Sequence, residues 1–399
     1  MKRRLVCVEP ALHRSAATPE EGRYKEEMFY YLSELTAWFS PLRVFQYTTF
    51  RAVFAAITSL LICVVSGPWV IRKLTELRLG QPIRGADDLR ALAETHGKKK
   101  GCPTMGGILI IWAVVDAVLL WARPTNHLVL LSLVTLVWLG AVGFLDDYAK
   151  VCAQKSAGMR AKTKFLYQIG LGLFVGGYLL LDPQHSDMAR RLMVPFVKQP
   201  LIADMGWWTL LLIVVVIVGS SNAVNLTDGL DGLATGCTLT VALTYAVMAF
   251  VAGHAQVANY LQVPHVIGAS ELTVVCAAIT GASLGFLWFN CHPAEVFMGD
   301  TGSLALGGVL GIMAVLIHQP FILFIAGGVF VAEAVSVIIQ VAFFKYYKRF
   351  HHLEKRVFLR TPLHLHFELK GWYESKVVTR FYILGVLCAV LAFATLKLR

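Results

Sequence analysis

Charge is scarce in this chain. Asp, Glu, Lys and Arg make up 15% of its 399 residues, against about 25% in an ordinary soluble domain. A soluble protein of this length needs charge to cover its surface, whereas one whose surface faces lipid does not. A disulfide framework is missing too: the eight cysteines include no CxxC pair, and Cys63, Cys237, Cys276 and Cys388 sit inside apolar runs, where free Cys behaves as a small hydrophobe. Cys102 and Cys152 lie in polar stretches without partners at zinc spacing. No Walker A motif occurs, which argues against an ATP-driven pump, and no 20–50-residue repeat is visible. Residues 1–27 lack the apolar run of a signal peptide. They read as a polar, disordered extension ahead of Met28.

What is abundant is hydrophobic sequence, 57% of the residues. Apolar stretches long enough to cross a hydrocarbon core of about 30 Å, roughly 20 residues each, fall near 50–74, 104–122, 127–145, 165–182, 206–224, 232–253, 269–289, 302–318, 321–344 and 377–397. The pattern predicts an all-α, polytopic integral membrane protein with about ten transmembrane helices. Residues 28–41, aromatic and amphipathic up to Pro41, suit a segment lying flat at the interface. The net charge of +11 then reads as a topology and headgroup signal rather than as nucleic-acid binding. Six Lys and Arg lie in 75–103, five in 146–164 and nine in 345–380, against Arg123, Arg190, Arg191 and Lys198 in the intervening loops. The positive-inside rule puts the three rich loops in the cytoplasm and both termini outside. Lys2, Arg3, Arg4 and Arg14 pull the other way.

Four polar clusters abut the spans, all on the side assigned to the cytoplasm. Asp146 and Asp147 end the third span; adjacent carboxylates repel unless a cation or cationic partners stand nearby, and magnesium takes hard oxygen ligands together with phosphates. A solvated helix cap is the plainer reading. Asn222, Asn225, Asp228 and Asp231 recur every third residue, a spacing that shares one face if the backbone is helical. Asn290 to Ser303 places Asp300 and two glycines ahead of the eighth span. That is a helix N-terminus, where backbone N–H groups favour anionic phosphates, although Asp300 could equally be a simple cap. From the residues alone, Phe297 reads as core. His364 and His366 sit in the basic loop 345–380, suited to a phosphate contact, a metal or a proton, or to lipid headgroups. Lys99, Lys150 and Lys164 could hold diphosphate oxygens as point charges. Together these parts suit phosphoryl-group chemistry at a membrane surface.

The strings Pro103-Thr104-Met105-Gly106-Gly107, Asp146-Asp147-Tyr148, Asn222–Gly232 and Phe297-Met298-Gly299-Asp300 through Gly308 closely resemble the phospho-N-acetylmuramoyl-pentapeptide-transferase family, from about Met28 to Arg399. The resemblance implies one ten-helix transferase domain over 28–399, with cytoplasmic catalytic loops at 75–103, 146–164, 224–232, 290–301 and 345–376, in a bacterial cytoplasmic membrane with both termini periplasmic. It implies a Mg2+-dependent transfer of phospho-MurNAc-pentapeptide from UDP-MurNAc-pentapeptide to undecaprenyl phosphate, giving lipid I and UMP, by a homodimer. By the same resemblance Asp300 and Asp147 hold the metal, and Asp146 is the favoured base of the catalytic pair Asp146 and Asp147. His364 and His366 join the catalytic set. Lys99, Thr104, Lys150, Lys164, Asn222, Asn225, Asp228 and Asp231 line the substrate cleft, and Asn290, Phe297 and Gln340 the nucleoside pocket, Phe297 by stacking. The family usually has three consecutive histidines where this chain reads His364-Leu365-His366, which puts the middle contact in doubt. A sister transferase moving an N-acetylhexosamine phosphate would keep the same aspartates. A transporter would want acidic residues near mid-span, and only Asp116 and Glu333 qualify.

Overall fold

The computed structural model describes residues 40–77, 102–151, 158–197, 199–352 and 354–396. The N-terminal extension, most of the interfacial segment and Lys99 lie outside the described residues. Among the described residues a short 3-10 helix, Ser40–Gln46, is followed by fourteen α-helices: α1 Thr48–Glu76, α2 Gly107–Trp121, α3 His127–Val151, α4 Ala161–Leu181, α5 Ser186–Ala189, α6 Trp208–Thr227, α7 Leu233–Gly253, α8 Ala255–Leu261, α9 Ser270–Asn290, α10 Gly299–Leu316, α11 Pro320–Ala326, α12 Gly328–Phe350, α13 Leu363–Leu369 and α14 Glu374–Ala394. Among the described residues nine helices are long and apolar enough to cross a membrane, and α2, with 15 residues, is a shorter apolar one. The expected ninth span is broken. It divides at Gly327 into α11 and α12, and α12 runs to Phe350 rather than stopping near residue 344.

The bundle is organised around α10. In its most apolar stretch 94% of residues are buried, against 28% for α1 and 22% for α12, whose remaining surfaces are apolar and outward-facing. Neighbours reach α10 closely because its inward positions are small: Ser221 Oγ donates to Leu304 O at 3.1 Å, and a Cβ at Gly307 would meet Ser220 O at 2.6 Å. Without a hydrophobic drive between helices in lipid, close backbone approach of this kind supplies the packing.

A buried ion pair fastens one end. Arg51 at the start of α1 donates to both oxygens of Glu271 in α9 (2.6 and 2.7 Å) and to Trp121 O at the end of α2 (3.0 Å), while Glu271 also accepts Arg123 N–H at 3.0 Å. Both side chains are at most 5% exposed. Removing one partner strands the other charge, a loss of about 3–5 kcal/mol. Glu271→Ala should therefore lower the thermal unfolding midpoint in detergent much more than the paired change Arg51→Met with Glu271→Leu. Equal midpoints for the two variants would contradict this.

Candidate active site

At the opposite end, the C-termini of α3 and α6 and the N-termini of α4 and α10 converge. Asp146 and Asp147 are neighbours in sequence but about 100° apart around α3, so they serve different partners. Asp147 faces α10: its carboxylate accepts Asp300 N–H (3.2 Å), Thr301 N–H (2.9 Å) and Thr301 Oγ1–H (2.8 Å). The N–H groups expected to receive phosphate are thus already capped by a side chain, a favourable use of a carboxylate at a positive helix end. Asp146 faces α4, accepting Met159 N–H at 2.6 Å and lying 2.8 Å from Lys150 Nζ and 3.4 Å from Lys164 Nζ.

Asp300 is the hub. Its Oδ2 accepts from Lys164 Nζ (2.6 Å) and Lys150 Nζ (2.9 Å), and its Oδ1 from Asn225 Nδ2 (2.8 Å), which also reaches Ser303 Oγ at 2.8 Å. Asp228 follows α6 with φ −77° and ψ 60°, and Gly229 N–H bonds Thr227 O at 2.8 Å. That is an inverse γ-turn centred on Asp228. It turns the carboxylate toward Asp300 and Asp147, where it accepts Gly299 N–H. Burial, then the neighbouring Asp300 and Asp147 charges, push the Asp228 carboxyl up to about 8. Thr104 lies against the same place: a Cβ on Gly299 would sit 2.6 Å from Asp147 Oδ2 and 2.9 Å from Thr104 Oγ1. Gly299 has φ +73°, so this tight entry to α10 suits glycine on two counts. The strings around Thr104 and Asp300 form one unit, with Phe297 N–H on Pro103 O (2.8 Å) and Gly106 and Gly107 N–H on Phe297 O and Met298 O (both 2.9 Å).

Asp146, Asp147 and Asp300 face the ammonium groups of Lys150 and Lys164, and Asp228 stands beside Asp300 and Asp147. Four carboxylates against two cations leave two negative charges when all are ionised, and the donors are hard oxygens. That set fits a divalent ion of the magnesium class, with Asp147 tied to the start of α10 and Asp300 to the two lysines and Asn225.

The remaining expected residues divide. Because α6 ends at Thr227, the three-residue repeat does not keep to one face. Asn222 bonds Gln168 Oε1 on α4 (2.8 Å) and Val218 O (2.8 Å). Asp231, 3% exposed, belongs to a second cluster: its Oδ2 accepts Ala294 N–H (3.2 Å) and lies 3.0 Å from His292 Nδ1, while its N–H donates to Glu374 Oε1 (2.9 Å). His292 and Glu374 had no signal in the sequence, since neither shares a motif with Asp231. Asn290 is buried, its amide bonding Val296 O (2.8 Å) and Thr235 Oγ1 (3.0 Å). Phe297 is half-buried beside it. Gln340 Oε1 accepts Val357 and Phe358 N–H, His366 Nδ1 accepts Leu359 N–H at 3.2 Å, and His364 is buried. These three brace the loop after α12.

Residues 129–318, which include Asp146, Asp228 and Asp300, match the model of glycosyl transferase family 4. A phospho-N-acetylmuramoyl-pentapeptide-transferase of Methylacidiphilum infernorum is 50% identical over 372 residues, covering 93% of this chain and 100% of the relative. The chain belongs to the phospho-N-acetylmuramoyl-pentapeptide-transferase family. The Opitutus terrae transferase is 49% identical over 373 residues and that of Desulforapulum autotrophicum 47% over 372, each again covering 93% of this chain and 100% of the relative. The carboxylate–lysine cluster of this transferase-family member lies within residues 129–318, the stretch that matches the broader family.

Proposed function

We propose that this protein transfers phospho-MurNAc-pentapeptide from UDP-MurNAc-pentapeptide to undecaprenyl phosphate, giving lipid I and UMP, in the first membrane step of peptidoglycan synthesis. The observation that carries the reading is Asp300, held among Lys150, Lys164 and Asn225 at one end of an apolar bundle. A site at the end of the spans can meet a water-soluble donor and a lipid acceptor together. By the charge of its loops that end faces the cytoplasm of a bacterium. The resemblance adds a homodimer.

In the transfer an oxygen of the lipid phosphate bonds to the sugar-side phosphorus, and the bond from that phosphorus to the oxygen bridging to UMP breaks. Lys150 and Lys164 balance charge on the diphosphate as it shifts to the leaving UMP. Asp146, beside both lysines, accepts the proton of a lipid phosphate that arrives protonated. Asn225 fixes the orientation of Asp300, and Asp147 fixes the start of α10. Mg2+, held by Asp300 with Asp228, would neutralise phosphate oxygens. Phe297 offers a half-buried ring on which a base can stack.

The deciding assay is UMP release with undecaprenyl phosphate, with UDP-MurNAc-pentapeptide compared against UDP-GlcNAc and EDTA against Mg2+. Release from the first donor only, and only with Mg2+, is the expected result; preference for UDP-GlcNAc would point to the sister transferase. For Asp146→Asn, turnover should fall by more than donor affinity does, and equal losses would make Asp146 a binding residue.

Metal binding should also depend on pH. A carboxyl raised to about 8 in the folded protein favours folding at low pH, and that contribution is lost as pH climbs from about 4 through 8. A cation that offsets the charge restores it. The rise in unfolding midpoint caused by Mg2+ should therefore be larger at pH 9 than at pH 6, and Asp228→Asn should flatten the difference. A pH-independent Mg2+ effect would contradict the assignment of Asp228 to the metal.

A further inference from the structure

The loop after α12 is fastened back onto that helix at two points seven residues apart. Gln340 Oε1 accepts Val357 N–H at 3.1 Å and Phe358 N–H at 3.0 Å, and Glu333 Oε1 accepts His364 N–H at 3.1 Å. Seven residues make about two turns, so both side chains lie on one stripe of α12. Glu333 is 0% exposed and His364 1%. A buried carboxylate in a membrane bundle is costly, and where it persists it is paired and used. Glu333 also stands 3.3 Å from His364 Nδ1, within ion-pair range although Nδ1 is not aligned for a hydrogen bond. The far side of the same imidazole meets the turn of Asp228. A Cβ on Gly229 would overlap His364 Nε2 and lie 2.8 Å from Cε1.

We propose that Glu333 is a positioning residue that sets Asp228 through His364. Glu333 fixes the imidazole, the imidazole supports Gly229 from behind, and Gly229 closes the inverse γ-turn that aims the Asp228 carboxylate at Asp300. On this assignment His364 contacts the turn and not the substrate, and the acidic side chain on α12 is part of the transfer site without reaching it. The assignment rests on the proposed role of Asp228 in transfer.

The test uses the full chain in detergent and two readouts. In UMP release, Glu333→Ala and His364→Ala should each lower kcat by about 30-fold with donor KM within about two-fold, and the double variant should be no worse than either single one. Glu333→Gln, which keeps an acceptor for His364 N–H, should recover part of the loss and covers the case in which Glu333→Ala does not fold. In thermal unfolding, Gly229→Ala should lower the midpoint, and adding His364→Ala should restore most of it, because the methyl then has room. Multiplying losses in the double variant, a raised KM with unchanged kcat, or no rescue of Gly229→Ala would each overturn the proposal. The unfolding cycle reads the contact without turnover. Inactivity of the unmodified protein toward UDP-MurNAc-pentapeptide would instead overturn the proposed reaction.

Discussion

Asp300→Asn is expected to lower transfer by at least about a thousand-fold while the protein remains folded. Both oxygens of Asp300 accept from donors: Oδ2 from two ammonium groups and Oδ1 from Asn225 Nδ2. A carboxamide has one acceptor, so either orientation points an NH2 at a donor. The change also removes one charge from the set that would hold the metal. Folding should survive because the cap on α10 is made to the backbone N–H of residues 300 and 301 by Asp147, not by the side chain at 300. UMP release, elution as a single species and the unfolding midpoint check the two halves. Near-normal turnover at ordinary Mg2+ would remove Asp300 from the centre of the site.

The second large effect comes from a single methyl. In Gly143→Ala the new Cβ would overlap the Asp300 carbonyl and lie 2.6 Å from Thr301 Cα. These are backbone atoms in the most buried helix of the bundle, and they cannot swing aside as a side-chain tip can. The strain goes into separating α3 from α10, a cost of about 1–3 kcal/mol. The same displacement pulls Asp147 off its cap and Lys150 off Asp300, so kcat should fall about a hundred-fold together with a lower unfolding midpoint. Gly170→Ala is the control, because a Cβ there meets nothing within 4 Å. If both variants behave alike, the close approach at Gly143 does not matter to the site.

The bundle was legible because lipid exposure leaves a signal in every span. The break at Gly327 was not, since the apolar run continues through it. Of the site, Asp146, Asp300, Lys150 and Lys164 could be singled out, in separate clusters, because charge beside an apolar span is conspicuous. Their roles could not be separated from sequence. Asp146 and Asp147 are adjacent letters, and only the helix phase shows that one caps α10 while the other meets lysines. Asp231 kept the spacing of Asn225 and Asp228 but not the company, because α6 stops at Thr227, and Asn222, still within α6, is taken up by Gln168 on α4. Phe297 read as core until the family resemblance assigned it to the base. Glu333 read as an exception near mid-span, and its partner His364 lies 31 positions away.

The cap that Asp147 places on α10 sets how the site moves. Amides at residues 300 and 301 are held at the head of a helix enclosed on all sides, so their hydrogens should exchange with deuterium only when α3 and α10 part. Lys150 and Lys164 reach the surface, 29% and 15% exposed, and should open locally and more often. The transferase thus has a slow floor and a fast edge: the floor keeps the charge in register, and substrates can enter and leave by disturbing only the edge.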